Sequence, residues 1–271
     1  MKKKKAAEKD FTALDLPKNH RAMFFDAIKQ RFPTFFALCL WSLLFSLPFL
    51  VAKFAHVYQV SASIASGAEP AEARLAAHLL FGPIEALTFA LYALLFAGLA
   101  KIMKNLAWND PVFFKEDFFE GIKENGARFS LTGGLFALSF FSLGFLSNAI
   151  LSAVIEGFIL IVLAPIALWF LASSLYYDLG VLSTCGNAAK LYLRTALWTL
   201  LVVALLYFPF ALVERFVPSF FLSAILFLVF FLVLVVPVSF AFLHYAVSIF
   251  DRFINKENFP AFYRKGLSKD E

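Results

Sequence analysis

The chain has 271 residues, 61% of them hydrophobic, 18% aromatic and 16% charged, with mean hydropathy +0.79. Soluble domains carry about a quarter of their residues as charges, so this composition excludes an ordinary soluble globular protein. Two cysteines exclude a disulfide-built scaffold. The net charge of +5 flanks apolar stretches, where anionic headgroups attract it, so no nucleic-acid partner is expected.

Residues 1–18 form a Lys-rich, then Pro-containing tail that reads as disordered. From Asn19 to Phe32 the pattern turns amphipathic, with Phe24, Ile28 and Phe32 on one helical face. Pro33 ends that pattern. Six apolar stretches follow, roughly 34–57, 79–103, 129–150, 152–178, 195–213 and 219–249. Each is near or above the ~20 residues that cross a bilayer as a helix. The first is too long, and its basic tail too extended, for a cleaved signal peptide, although Ser61-Ala62-Ser63 supplies small residues.

Residues 58–78 read as a polar outer loop, and Gly82-Pro83 as the opening of the second span. Asn109-Asp110-Pro111 predicts a helix start. The helix after it carries Phe114, Phe118, Phe119 and Ile122 on one arc, Glu116, Glu120, Lys123 and Glu124 on the other, and Gly126 as its stop. It is short and polar, which predicts an interfacial helix on the cytoplasmic surface. A tight outer turn around 147–152 joins the third and fourth spans. Pro165 and Pro237 fall inside the fourth and last spans. At 1.5 Å per residue the last stretch is about 46 Å long. It therefore tilts or projects from the ~30 Å hydrocarbon core as a single crossing. A polar tail, 256–271, closes the chain.

The basic residues fall on alternate gaps between these stretches. Nine precede the first; the second, fourth and sixth gaps hold five, two and five; only Lys53, Arg74 and Arg215 lie elsewhere. Gaps rich in Lys and Arg stay in the cytoplasm. The expected fold is thus an all-α integral membrane bundle over 19–255. It has about six transmembrane helices, both termini cytoplasmic and short amphipathic cytoplasmic helices. A weak repeat accompanies it: Phe25-Asp26-Ala27-Ile28-Lys29 resembles Phe119-Glu120-Gly121-Ile122-Lys123, with a fainter echo at Gly186-Asn187-Ala188-Ala189-Lys190. Each is followed by an arginine, Arg31, Arg128 or Arg194, just before a span.

Three short motifs occur in a telling order. They are Leu43-Leu44-Phe45-Ser46-Leu47-Pro48, Gly82-Pro83, and Tyr176-Tyr177-Asp178-Leu179 followed by Asn187-Ala188 and Leu193-Arg194-Thr195. With the span pattern, they make residues 20–255 resemble the YesL-like family, also called domain of unknown function 624. Ile84-Glu85-Ala86 departs from the family, which does not place Glu there. The resemblance implies a multi-pass protein of the bacterial inner membrane, encoded near carbohydrate uptake and degradation genes. It implies no reaction, ligand or functional residue.

Among the four histidines there is no metal-ligand spacing, and no nucleotide or hydrolase motif is present. An enzyme is not expected, nor is a cofactor. Lys53, His56, Glu85 and Glu156 lie near the outer ends of their spans. Span ends are the ordinary place for charges, so interfacial placement is the first expectation for these four. A polar pocket open to the outside, with Lys53 paired to Glu85 or Glu156, is the alternative. Asn148, Glu214 and Arg215 lie at similar depth. On the cytoplasmic side, Phe114, Phe118 and Ile122, with Asp178 and Arg194 flanking the 179–194 loop, are the candidate docking surface. His244 reads as a hydrogen-bonded packing residue, and Thr132-Gly133-Gly134 and Gly144 as sites of close helix contact.

Two functions fit. One is a non-enzymatic accessory or scaffold protein, in a lipid bilayer, serving carbohydrate uptake through ABC permease subunits. The other is a secondary transporter or channel for a small solute. The sequence does not set an oligomeric state. The orientation predicts that a C-terminal alkaline phosphatase fusion is inactive while a C-terminal green fluorescent protein fusion fluoresces. The reverse pattern would overturn it.

Overall fold

The computed structural model describes residues 16–146, 148–216 and 220–268, without the side chains of 213–220. Most of the expected basic tail, Ser147 of the outer turn, and the side chains of Glu214 and Arg215 lie outside the described residues. Those described form an all-helical fold. Its helices are α1 (His20–Gln30), α2 (Phe32–Ala65), α3 (Pro70–Ala107), α4 (Phe114–Leu143), α5 (Ala149–Tyr176), α6 (Val181–Phe216) and α7 (Phe221–Asn258). Among them α2, α3, α5, α6 and α7 are long and apolar enough to cross a membrane.

The N-terminal helix forms where the sequence predicts it. Asn19 caps α1 by accepting the Ala22 N–H at 2.8 Å. Met23 is buried, and Phe24 stacks on Phe240 of α7 at 5.5 Å. Phe32 does not belong to this face: it opens α2 and is exposed. Pro33 sits in the first turn of α2, where its missing N–H removes no bond.

Four boundaries differ from expectation. The outer loop is helical: α2 runs to Ala65 and α3 starts at Pro70, leaving a short turn with Gly67 at φ +96°. Gly82-Pro83 therefore lies inside α3 and does not begin it. The interfacial helix is not separate from the third span, because α4 continues through Gly126 without a break. Its start is also displaced to Phe114, where Asp117 accepts the Phe113 N–H at 2.8 Å. Asn109 adopts a left-handed φ of +56° and Asp110 is taken by Lys265 at 2.6 Å, so neither caps the helix. Finally, residues 181–194 of the expected loop form the first arm of α6; Thr195, at φ −131°, marks the kink that follows it.

Proline positions show how long apolar helices absorb a lost donor. In α5 the turn Ile159–Leu163 is π-helical just before Pro165. Pro165 cannot bond the Ile161 carbonyl, and Tyr192 of α6 supplies the missing donor at 2.5 Å. A second π turn, Phe230–Leu234, precedes Pro237 in α7.

Helices α3 and α4 approach through glycine. A Cβ on Gly121 would lie 2.6 Å from Lys101 Cβ and 2.8 Å from the Ala97 carbonyl oxygen. One on Gly133 would lie 2.6 Å from Ala93 Cβ, and one on Gly98 would overlap the Phe118 ring. The expected close contact at Gly133 and Gly144 is thus present, Gly144 facing the His78 ring.

The arginines of the weak repeat occupy matching places. Arg31 donates to the Asp110 carbonyl at 2.6 Å, three residues past the end of α3. Arg128 donates to the Leu179 carbonyl at 3.0 Å, three residues past the end of α5. Arg194 instead lies over the Phe253 ring at 4.6 Å. Two hairpins thus share one closing bond, and the third replaces it by a cation–π contact.

At this end the two termini are tied together. Asp251 accepts from His20 at 3.0 Å, from Asn255 at 2.7 Å and from the Arg264 N–H at 3.2 Å. Tyr177 completes the chain by donating to Asn255 at 2.5 Å. Burial, then the nearby Asp251 carboxylate, pushes the Tyr177 phenol well above its ordinary pKa, so it remains a donor. Lys265 lies over the Trp108 ring at 4.1 Å.

The glycine seam predicts a clear contrast. Gly133→Leu should lower thermal stability in detergent by about 1–3 kcal/mol through overpacking. Gly186→Ala, whose Cβ meets nothing within 4 Å, should match or slightly exceed the parent. Equal melting temperatures for Gly133→Leu and the parent would show that the seam can relax.

Candidate functional site

A cavity of about 700 Å³ lies between the α2–α3–α4 group and α5, α6 and α7. One end of it holds all four ionisable residues singled out by the sequence. Lys53 and His56 come from α2, Glu85 from α3 and Glu156 from α5. Helical spacing puts Phe49, Lys53 and His56 on one stripe, and His78, Gly82, Glu85 and Phe89 on another. All seven line the cavity.

Glu85 is the centre of the cluster. One carboxylate oxygen lies 2.6 Å from His56 Nδ1 and the other 3.7 Å from Lys53 Nζ. The three side chains are only about 15–16% exposed, so the carboxylate has two partners away from bulk water. Lys53 pairs with Glu85, as the pocket alternative expected. Glu156 accepts from Tyr207 of α6 at 2.5 Å. The Tyr207 ring stacks on Phe140 of α4 at 5.6 Å, so this contact bridges the two sides of the cavity.

His78 was not singled out by the sequence because it sat at the edge of an expected loop. Its ring lies 5.9 Å from that of His56 and its Nε2 bonds the Phe141 carbonyl at 2.7 Å. Gly82 and Gly144 admit Phe141 and the His78 ring respectively, each at a place a Cβ would fill. Tyr207 was also missed, being one aromatic among many in an apolar run. Asn148 caps α5 through bonds from Ile150 at 3.0 Å and Leu151 at 3.1 Å, a structural role outside the cavity lining.

Below the cluster the walls turn apolar. Phe96, Phe136, Leu168, Val203 and Phe242 line the shaft, and Ala100, Met103 and Leu175 mark its far end. Small residues, among them Ala93, Ala137, Ala164 and Ala167, keep it open. No group of three or more His, Cys, Asp or Glu residues able to hold a metal occurs among the described residues.

The candidate docking residues differ in exposure. Phe114, Phe118 and Ile122 are half-buried; Phe118 stacks on Phe45 at 5.4 Å and fills the space opposite Gly98. These aromatic side chains are spent on internal packing. Asp178 and Arg194 are exposed, and no ion pair joins them among the described residues. His244 is buried with neither ring nitrogen hydrogen-bonded among the described residues. It is a packing residue without the expected bond, set nearly perpendicular to the rings of Phe24 at 5.3 Å and Phe240 at 4.6 Å.

Long apolar helices surrounding an internal cavity define a multi-pass helical membrane protein. Comparison with family models, curated proteins and solved structures finds no match, and the site is read from its own geometry.

The central role of Glu85 has a measurable consequence. Glu85→Ala removes the acceptor shared by Lys53 and His56 and should destabilise the protein by about 1–3 kcal/mol. Combining Glu85→Leu with Lys53→Met should recover much of that loss, because the pair leaves together. Thermal unfolding of the single and double variants measures the coupling; strictly additive losses would show that the pair does not interact.

Proposed function

We propose that this protein is a membrane transporter or carrier that admits a small-molecule ligand to its central cavity from the end holding Lys53, His56 and Glu85. One observation carries the reading: ionisable residues distant in sequence share the lining of one cavity. Such groups are costly against lipid, and inside membrane proteins they mark solute or ion pathways. The position between helical hairpins also suits a carrier, since secondary transporters bind at the junction of their repeats.

The same reading takes α4 as a sixth crossing and both termini as cytoplasmic. The charge partition supports this orientation, as does the apolar second half of α4 from Phe129 to Leu143. The bacterial inner membrane rests on the YesL-like resemblance alone. The docking reading, as an accessory to carbohydrate permease subunits, loses support because Phe114 and Phe118 pack internally.

Cysteine accessibility tests the proposal. In a background with Cys39→Ala and Cys185→Ser, Ser239→Cys and Leu206→Cys should react with a small, water-soluble methanethiosulfonate cation. Leu131→Cys and Leu197→Cys, at exposed apolar positions, should be silent. Equal silence at all four would overturn the reading.

A further inference from the structure

The charged residues and histidines of the cavity lie at one end only, and its length can be measured along α3. His78 and Met103 both line it, and 25 residues of helix rise about 38 Å. From Glu85 to Met103 the distance is about 27 Å, close to the ~30 Å hydrocarbon core. Spread over that length, a volume of about 700 Å³ makes an elongated space. The space is therefore a shaft and not a round chamber.

A compact hydrophilic solute would leave most of such a shaft unfilled and meet no charged partner along it, only the hydroxyls of Tyr92, Thr132 and Ser239. A single extended hydrocarbon chain follows the shaft's long axis. The polar end offers both hydrogen-bond donors and acceptors: the Lys53 ammonium, the imidazoles of His56 and His78, and the carboxylates of Glu85 and Glu156. The shaft offers phenylalanine, leucine, valine and alanine.

Resting on the reading of the cavity as a ligand site, we propose that its ligand is an amphiphile with one long hydrocarbon chain. A head group that both donates and accepts hydrogen bonds sits at the Lys53–Glu85–His56 end, and the chain extends past Phe96 and Phe136 toward Met103 and Leu175. Lipid tails are as apolar as the shaft, so the chain gains little from leaving the bilayer. Selectivity comes from the fit of the shaft and from the head group, whose partners at the cluster are fixed in place.

The test uses the full chain in lipid nanodiscs and a lysophosphatidylethanolamine with a photoactivatable diazirine at the chain terminus. Crosslinks, read by peptide mass spectrometry, should concentrate on Met103, Leu175 and their neighbours. Ala167→Trp and Ala137→Trp, which place bulk in the shaft, should each reduce that labelling at least tenfold while keeping the parent melting temperature. If one variant fails to fold, the other decides. A diazirine-bearing alkane without a head group should label these positions at least fivefold less.

Labelling confined to exposed positions such as Leu131 and Leu197, or unchanged by both tryptophans, would overturn the inference. The cysteine measurement separates the two proposals. Reactive cavity cysteines without lysolipid crosslinks would retain a ligand cavity and reject the amphiphile. Silent cysteines without crosslinks would reject both.

Discussion

The close approach of α3 and α4 governs the rest of the molecule. Without side chains at Gly98, Gly121 and Gly133, the two helices pack nearly backbone to backbone. In a bilayer there is little hydrophobic gain from helix association, so such close contact supplies much of the attraction. It also leaves little bulk on the inner wall, where glycine and alanine alternate with aromatic rings. One choice of small residues thus binds one pair of helices tightly and holds the neighbouring space open.

The two ends of the bundle are built on opposite principles. At the end that joins the termini, arginines reach carbonyls beyond helix ends, and Asp251 gathers partners from both chain ends. Each of these bonds satisfies a carbonyl or side chain that would otherwise be left bare near the membrane. At the other end the polar groups turn inward and line a cavity. The fold therefore spends its polar chemistry on closure at one end and on a site at the other.

Much of this was legible in the residues, and the misses have identifiable causes. Apolar length found the five helices long enough to cross a membrane, one fewer than expected, and the depth of Lys53, His56, Glu85 and Glu156 put them at one level. Depth alone did not give direction, because it does not say which way a side chain faces. Helix ends were harder. Residues 58–78 are polar enough to read as a loop, yet they form the ends of α2 and α3, and the helical stripe joining His78 to Glu85 was lost with them. Gly126 reads as a stop by its conformational freedom, but in α4 it serves packing, near Leu94. His244 looked like a residue needing a hydrogen bond, but it packs against aromatic rings with neither ring nitrogen bonded among the described residues.

The π turn before Pro165 divides α5 into unequal halves. The half from Ala164 onward is moored: Trp169 is fully buried and donates to Thr199 at 3.0 Å, and Tyr177, beside its end, is tied to Asn255. The half from Ala149 to Phe158 buries no residue at all. Segments with few buried contacts open at low cost. The two carboxylates of the cluster accordingly differ in their mounting. Glu85 stands on a closely packed helix, whereas Glu156 rides on a segment that buries no residue, beyond the turn that Tyr192 braces.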